Sequence, residues 1–90
     1  MFSLEQTGQF KKDIKLAKKR GLNFILLNEV VTTLVESGEL GPRYKAHKLI
    51  GNYKGFWECH IQPDWLLIWE QNDSIKLVTL IRTGKHTDLF

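Results

Sequence analysis

Between Gly38 and Pro42 the chain changes its period, and that change sets what it can fold into. Upstream, apolar residues recur at helical spacing; downstream, they come in aromatic and β-branched runs. Leu27, Val30, Val31 and Leu34 stand at i, i+3, i+4 and i+7 within a stretch from about 24 to 37, with Asn23 placed to cap it. Phe10, Ile14 and Ala17 mark one face of an earlier helix, from about 8 to 20, with Thr7 as N-cap and Gly21 as the terminating glycine. Residues 1–6 alternate loosely enough for a short edge strand. Beyond the change, four strands are expected over about 48–50, 56–62, 66–71 and 74–82. Their links, at 51–55, 62–64 and 72–73, are short enough to imply antiparallel hairpins. The expected fold class is therefore α+β: an N-terminal short strand and a two-helix hairpin packed on a sequential antiparallel β-sheet, the other sheet face free for a ligand. With 90 residues the chain has room for one core, so residues 1–90 are read as a single domain.

The net charge is only +3, but Lys11, Lys12, Lys15, Lys18, Lys19 and Arg20 crowd into the first helix, opposed there by Asp13 alone. Such a stripe can follow a phosphate backbone or receive an acidic partner; it can equally be the solvated outer face of a helix. No apolar run approaches the roughly 18 residues that span a bilayer, and the start lacks the basic-then-apolar order of a signal peptide, so a cytoplasmic, membrane-free protein is expected. The lone Cys59 has no cysteine partner for a disulfide or a C-x-x-C site and reads as a small core residue.

All three histidines, His47, His60 and His86, fall in the second half. Histidine is the side chain whose ordinary pKa, about 6.5, lets it take and give protons near neutrality. In the second of the four strands, alternation puts Trp57, Cys59 and Ile61 on a core face and Glu58 and His60 together on the other, toward solvent. In the last strand, Arg82 shares a side with Lys76, Val78 and Leu80, alternating with Ile75, Leu77, Thr79 and Ile81, and that mixed side reads as the less buried one. After Thr83-Gly84 the tail has the length to fold back over the open face and carry His86 and Phe90 toward His60 and Arg82.

The run His47-Lys48-Leu49-Ile50-Gly51-Asn52-Tyr53-Lys54-Gly55, then His60-Ile61-Gln62-Pro63-Asp64-Trp65, then Arg82-Thr83-Gly84 with His86 and a final Leu89-Phe90, closely resembles the YafQ-type branch of the RelE superfamily of bacterial toxins. The likeness covers essentially the whole chain, and H-x-x-P-D-W followed by R-T-G-x-H makes it specific. It implies a RelE-like fold and the toxin of a type II toxin-antitoxin pair: a ribosome-dependent endonuclease that cuts mRNA in the ribosomal A site. The implied partners are that mRNA, the 70S ribosome through the basic helix Lys11–Arg20, and a cognate antitoxin. Carried over by position, His47, His60, Asp64, Trp65, His86 and Phe90 match the family's active-site residues, and Arg82 its phosphate-facing arginine. The implied route is attack of a ribose 2′-hydroxyl on the adjacent phosphate, giving a cyclic phosphate and a free 5′-hydroxyl, with neither metal nor cofactor. The chain departs from many relatives at Trp57, where they carry arginine, and at Lys48, where several have proline; Lys48 or Lys54 would then have to meet the phosphate.

The residue types suit that reaction on their own chemistry. One group must remove the 2′-hydroxyl proton, another must protonate the leaving oxygen, and a cation must meet the growing phosphoryl charge. His86 is expected to lead the proton transfer, His60 with Asp64 to partner it, Arg82 to stabilise charge, and His47 to orient substrate. Trp65 and Phe90 would stack on bases, although a tryptophan opening a strand is usually core, an aspartate after proline is a routine turn former, and Arg82 at a strand end can simply pair with Asp64 or Glu58. A three-histidine zinc site is disfavoured by the spacing. The competing class is a non-catalytic ParE-like binding module docking on a protein through its basic helix, and the histidine set argues against it.

Overall fold

The computed structural model describes residues 1–90. Strand β1 (Ser3–Gln6) leads into helix α1 (Gly8–Lys19), and helix α2 (Phe24–Ser37) follows. A 3-10 turn (Pro42–Tyr44) then precedes β2 (His47–Lys48), β3 (Trp57–Gln62), β4 (Trp65–Asn72) and β5 (Leu77–Gly84), and a one-turn helix α3 (His86–Leu89) closes the chain. The caps read from the sequence form as expected. Thr7 accepts a hydrogen bond from the Phe10 amide at 3.0 Å, and Asn23 accepts one from the Ile25 amide at 3.0 Å. Gly38 ends α2 in the left-handed region, φ 72°, where a β-carbon would stand 2.7 Å from the Phe2 ring.

The sheet order is β1-β5-β4-β3-β2. The last four strands are the expected sequential antiparallel meander. β1 adds to it in parallel, Ser3 opposite Leu77 through Gln6 opposite Leu80, because α1 and α2 carry the chain away before it returns. Two boundaries move. Ile50 is 88% exposed and the strand before the 51–55 loop stops at Lys48, so His47, expected outside the strands, lies within β2 opposite Glu58. The fourth expected strand begins at Leu77 instead of 74, since the Asn72 side chain accepts from the amides of Ser74 and Ile75 and folds them into a turn.

One face of the sheet packs on the helices. Its core joins Phe10, Leu27, Val30 and Leu34 to Cys59, Trp65, Leu67, Trp69, Val78 and Leu80. The other face carries a smaller apolar cluster in which Leu89 of α3 covers Leu66 and Ile68, with Tyr53, Phe56 and Ile81 against it. The tail therefore folds back over the open face, as its length allowed.

Candidate active site

Register decides which side chains meet on that face. Residues directly opposite in a sheet share a side, so the pairings His47–Glu58, Glu58–Ile68 and Ile68–Arg82 make one row across β2 to β5. His60 lies opposite Leu66, and Leu66 opposite Gly84, in the next row. Arg82 joins the first row only because a bulge intervenes: Trp69 pairs with Leu80 but Ile68 with Arg82, leaving Ile81 as the extra residue. Strict alternation, which grouped Arg82 with Val78 and Leu80 on the less buried side, is corrected here. Val78 and Leu80 are buried under the helices, and the bulge turns Arg82 to the open face.

Arg82 is held from two sides. Its Nε and Nη2 donate to both carboxylate oxygens of Asp13 at 2.9 and 3.0 Å, and its Nη1 donates to the Tyr53 hydroxyl at 3.3 Å. The Thr83 amide donates to the same Asp13 at 3.1 Å. These bonds, the Asp13 pairing foremost, raise the guanidinium pKa, so its charge is permanent. Asp13, read as the lone acid on a basic helix, is thus a buried carboxylate aimed at the site. Tyr53 in turn donates to the Leu89 carbonyl at 3.2 Å, which ties the 51–55 loop to α3.

α3 is fixed at its other end by Asp88. The carboxylate accepts Arg20 Nη1 at 2.6 Å and Nη2 at 3.1 Å, and the Lys85 amide at 2.8 Å. Arg20 and that amide lower the Asp88 pKa to about 2. A β-carbon at Gly84 would stand 3.0 Å from Asp88 Oδ2, so glycine lets the turn close. Arg20 is therefore committed to the tail instead of being free in the basic stripe; Lys11, Lys12, Lys15, Lys18 and Lys19 remain exposed.

His86 opens α3, exposed, with its ring 4.9 Å from that of Phe90, which meets Tyr53 edge-on at 5.6 Å. His60 is half-buried, and its Nδ1 faces the Pro63 carbonyl at 3.4 Å. A carbonyl can only accept, so the neutral ring holds its proton at Nδ1 and keeps a free lone pair at Nε2. The expected His60–Asp64 partnership is replaced by that carbonyl. Asp64 sits exposed in the β3–β4 turn, where its charge acts on Arg20.

His47 Nδ1 is likewise engaged by a carbonyl, that of Lys45, at 3.1 Å, while its Nε2 lies 3.5 Å from Glu58 Oε1. That approach is attractive when the pair holds a second proton. Glu58, expected to face solvent beside His60, is 6% exposed under its neighbours, and its Oε2 has no hydrogen-bond partner. Neither Glu58 as a partner of His47 nor Asp13 and Tyr53 as supports of Arg82 emerged from the sequence. An acid alternating with His60 on one strand was the available signal for the first, and an isolated aspartate in a run of lysines for the second.

Two expected substrate contacts are overturned. Trp65 is 1% exposed, donates to the Thr83 hydroxyl at 2.9 Å and meets Phe24 edge-on, so its ring offers no face to a base. Lys48 pairs opposite Trp57, on the helix side of the sheet, with its ammonium 5.7 Å above that ring, and does not stand in for a phosphate-binding arginine on the open face. Lys54 remains exposed in the 51–55 loop. No three His, Cys, Asp or Glu side chains gather closely enough to ligate a metal ion, and no helix is long and apolar enough to cross a membrane.

A mixed sheet backed by two helices, with imidazoles and an acid-held arginine on its open face, is the α+β architecture of RelE-like toxins. Its relatives are narrower than that class. Residues 2–90 match the family described as the bacterial toxin of type II toxin-antitoxin system, YafQ, and the chain belongs to this family. It is 41% identical over 88 residues to the mRNA interferase toxin YafQ of Escherichia coli K12, covering 97% of this chain and 94% of that one. The crystal structure of YafQ from E. coli BL21(DE3) superposes with a TM-score of 0.91 at 38% identity, over 100% of this chain and 99% of the other. YafQ in the E. coli DinJ-YafQ complex superposes at 0.90 and 40% identity, over the same shares.

Proposed function

We propose that this protein is an mRNA interferase: a toxin that cuts ribosome-bound message in the A site by metal-free acid-base chemistry and is restrained by a cognate antitoxin. The E. coli relative bears the name mRNA interferase toxin, and another copy is seen in complex with DinJ. The observation that carries the reading is the position of Leu66. His60 stands opposite it in the sheet, and Leu89 of the helix bearing His86 packs on it, which supports a reading in which the strand carrying His60 and the helix carrying His86 serve one site on the open face.

In this reading His60, with its Nε2 lone pair free, takes the proton of the ribose 2′-hydroxyl, and His86 protonates the departing 5′-oxygen. The oxyanion attacks phosphorus, the P–O5′ bond breaks, and a 2′,3′-cyclic phosphate and a 5′-hydroxyl remain. Arg82, oriented by Asp13 and Tyr53, meets the charge that grows on the phosphoryl oxygens. Asp64 is the carboxylate available to an imidazolium formed nearby. His47, backed by Glu58, orients substrate, and Lys54 adds positive charge. Phe90, 46% exposed and stacked on His86, provides a surface for an unpaired base. The lysines of α1 meet ribosomal RNA.

The test is end-mapping of a defined message on translating ribosomes. New 5′ ends that accept phosphate from a polynucleotide kinase without prior dephosphorylation are expected. Ends already carrying 5′-phosphate, or no new ends at all, would reject this chemistry. The ParE-like alternative predicts an intact message together with a captured protein target.

A further inference from the structure

β2 covers β3 only at Trp57 and Glu58, so the edge of β3 from Cys59 to Gln62 has no strand beside it. The Pro42–Tyr44 turn and Lys45 lie along that edge instead, and between them is a cavity of about 320 Å³ whose walls include Arg43, Tyr44, Lys45, His60, Gln62 and Pro63. None of the roles assigned above uses it.

Three observations give the groove a chemistry. It is cationic: Arg43 and Lys45 are exposed, neither enters an ion pair, and no acidic residue lines the walls. It contains an uncharged reading group: a bulge between His60 and Gln62 shifts the register, and bulges commonly re-aim a side chain near a site. It is joined to the proposed catalytic groups: His60 forms part of its wall, and Lys45, a non-glycine residue at φ 52° and ψ 42°, turns its carbonyl onto His47 Nδ1. The volume is at the small end of ligand sites, roughly 300 to 1,000 Å³, which suits one nucleotide better than a run of them.

We propose that this groove is the subsite for the nucleotide adjoining the cleaved bond, with Arg43 and Lys45 on its phosphate and the Gln62 amide on its base edge. The inference rests on the nuclease reading. A message whose scissile phosphate reaches His60 continues into the channel that His60 lines, and that channel carries two cations with no acidic partner, Arg43 lying over the Tyr44 ring and donating to its hydroxyl at 2.6 Å. An acidic peptide would also suit the charge, but it has no reason to begin at an imidazole.

The experiment compares the full chain with R43A/K45A, both residues being exposed, on programmed ribosomes between 50 and 200 mM salt, roughly the range over which phosphate contacts are resolved. Thermal melts of both proteins establish that the variant folds. The expected result is a saturating cleavage rate within about threefold of the parent, a half-saturating concentration raised roughly tenfold, and a salt slope lower by about 0.7, as one lost single-strand phosphate contact requires. In parallel, a message with a photoreactive base beside the cleaved bond is irradiated in complex with the H86A variant. The peptide containing residues 43–45 or 60–63 should carry the crosslink. Unchanged half-saturation and slope, or crosslinks to ribosome alone, would overturn the subsite. So would a variant that cleaves like the parent but no longer binds its antitoxin, which would make the groove a protein-docking site. A parent protein that cleaves no message fails earlier, at the nuclease reading, and is distinguished from all of these.

Discussion

Replacing Asp13 with alanine should be the most damaging change at any charged position of α1, although the helix is mostly solvated. The carboxylate is 7% exposed and accepts four hydrogen bonds: two from Arg82, one from the Thr83 amide and one from Gln9. Removing one partner of a buried ion pair typically costs about 3 to 5 kcal/mol, because the survivor stays buried and unpaired. Arg82 keeps 21% exposure and its bond to Tyr53, so water and that hydroxyl recover part of the loss. We therefore expect about 2 to 4 kcal/mol, or a fall in Tm of roughly 10 to 25 °C for a chain of this size. Urea or thermal unfolding of D13A reads the total. A double-mutant cycle with R82A isolates the pair and should return a coupling of about 1 to 3 kcal/mol. A cost below about 0.5 kcal/mol, within the range of ordinary surface substitutions, would refute the claim that Asp13 holds the arginine.

Trp65→Ala should cost about 3 to 5 kcal/mol by unfolding, since it empties a core site and removes a donor to the Thr83 hydroxyl, which keeps its bond to the Leu66 carbonyl; a large loss of RNA binding at unchanged stability would instead restore Trp65 as a base contact. Asp88, with its folded pKa lowered to about 2, contributes stability that is present above the unfolded value near 3.8 and lost as pH falls through 2. Acid titration of the parent against D88N should therefore show a gap that narrows below about pH 4 and closes only below about pH 2, and a gap that persists unchanged to lower pH would exclude the Asp88–Arg20 tie. Burial pushes the Cys59 thiol up to about 12 from 9.0, so stability should erode as pH climbs between those values, and a thiol reagent at neutral pH should label Cys59 only after unfolding.

The helical half was legible almost to the residue, because its period, caps and terminating glycines are local signals. Thr7, Asn23 and Gly21 each contact residues a few positions away. The meander was legible too, from short links between β-branched runs. What escaped depends on contacts distant in sequence. Arg82 meets Asp13 across 69 positions, and only the bulge at Ile81 gives it the right face. Trp65 was read as a base platform through its place in H-x-x-P-D-W, yet it lies opposite Gln62 across a second bulge and points into the core. Lys48 and His47 are adjacent and point to opposite faces, so the 47–55 motif could not be assigned to one side before the register was known.

The central claim is that two imidazoles on one face divide the proton work. The pH dependence of the single-turnover cleavage rate on programmed ribosomes, measured for the parent, H60A and H86A, tests it most directly. The parent should give a bell. H60A should lose the rise on the acid side and H86A the fall on the alkaline side, each with a rate lowered by about 10² to 10⁴. Parental profiles and rates in both variants would contradict the account.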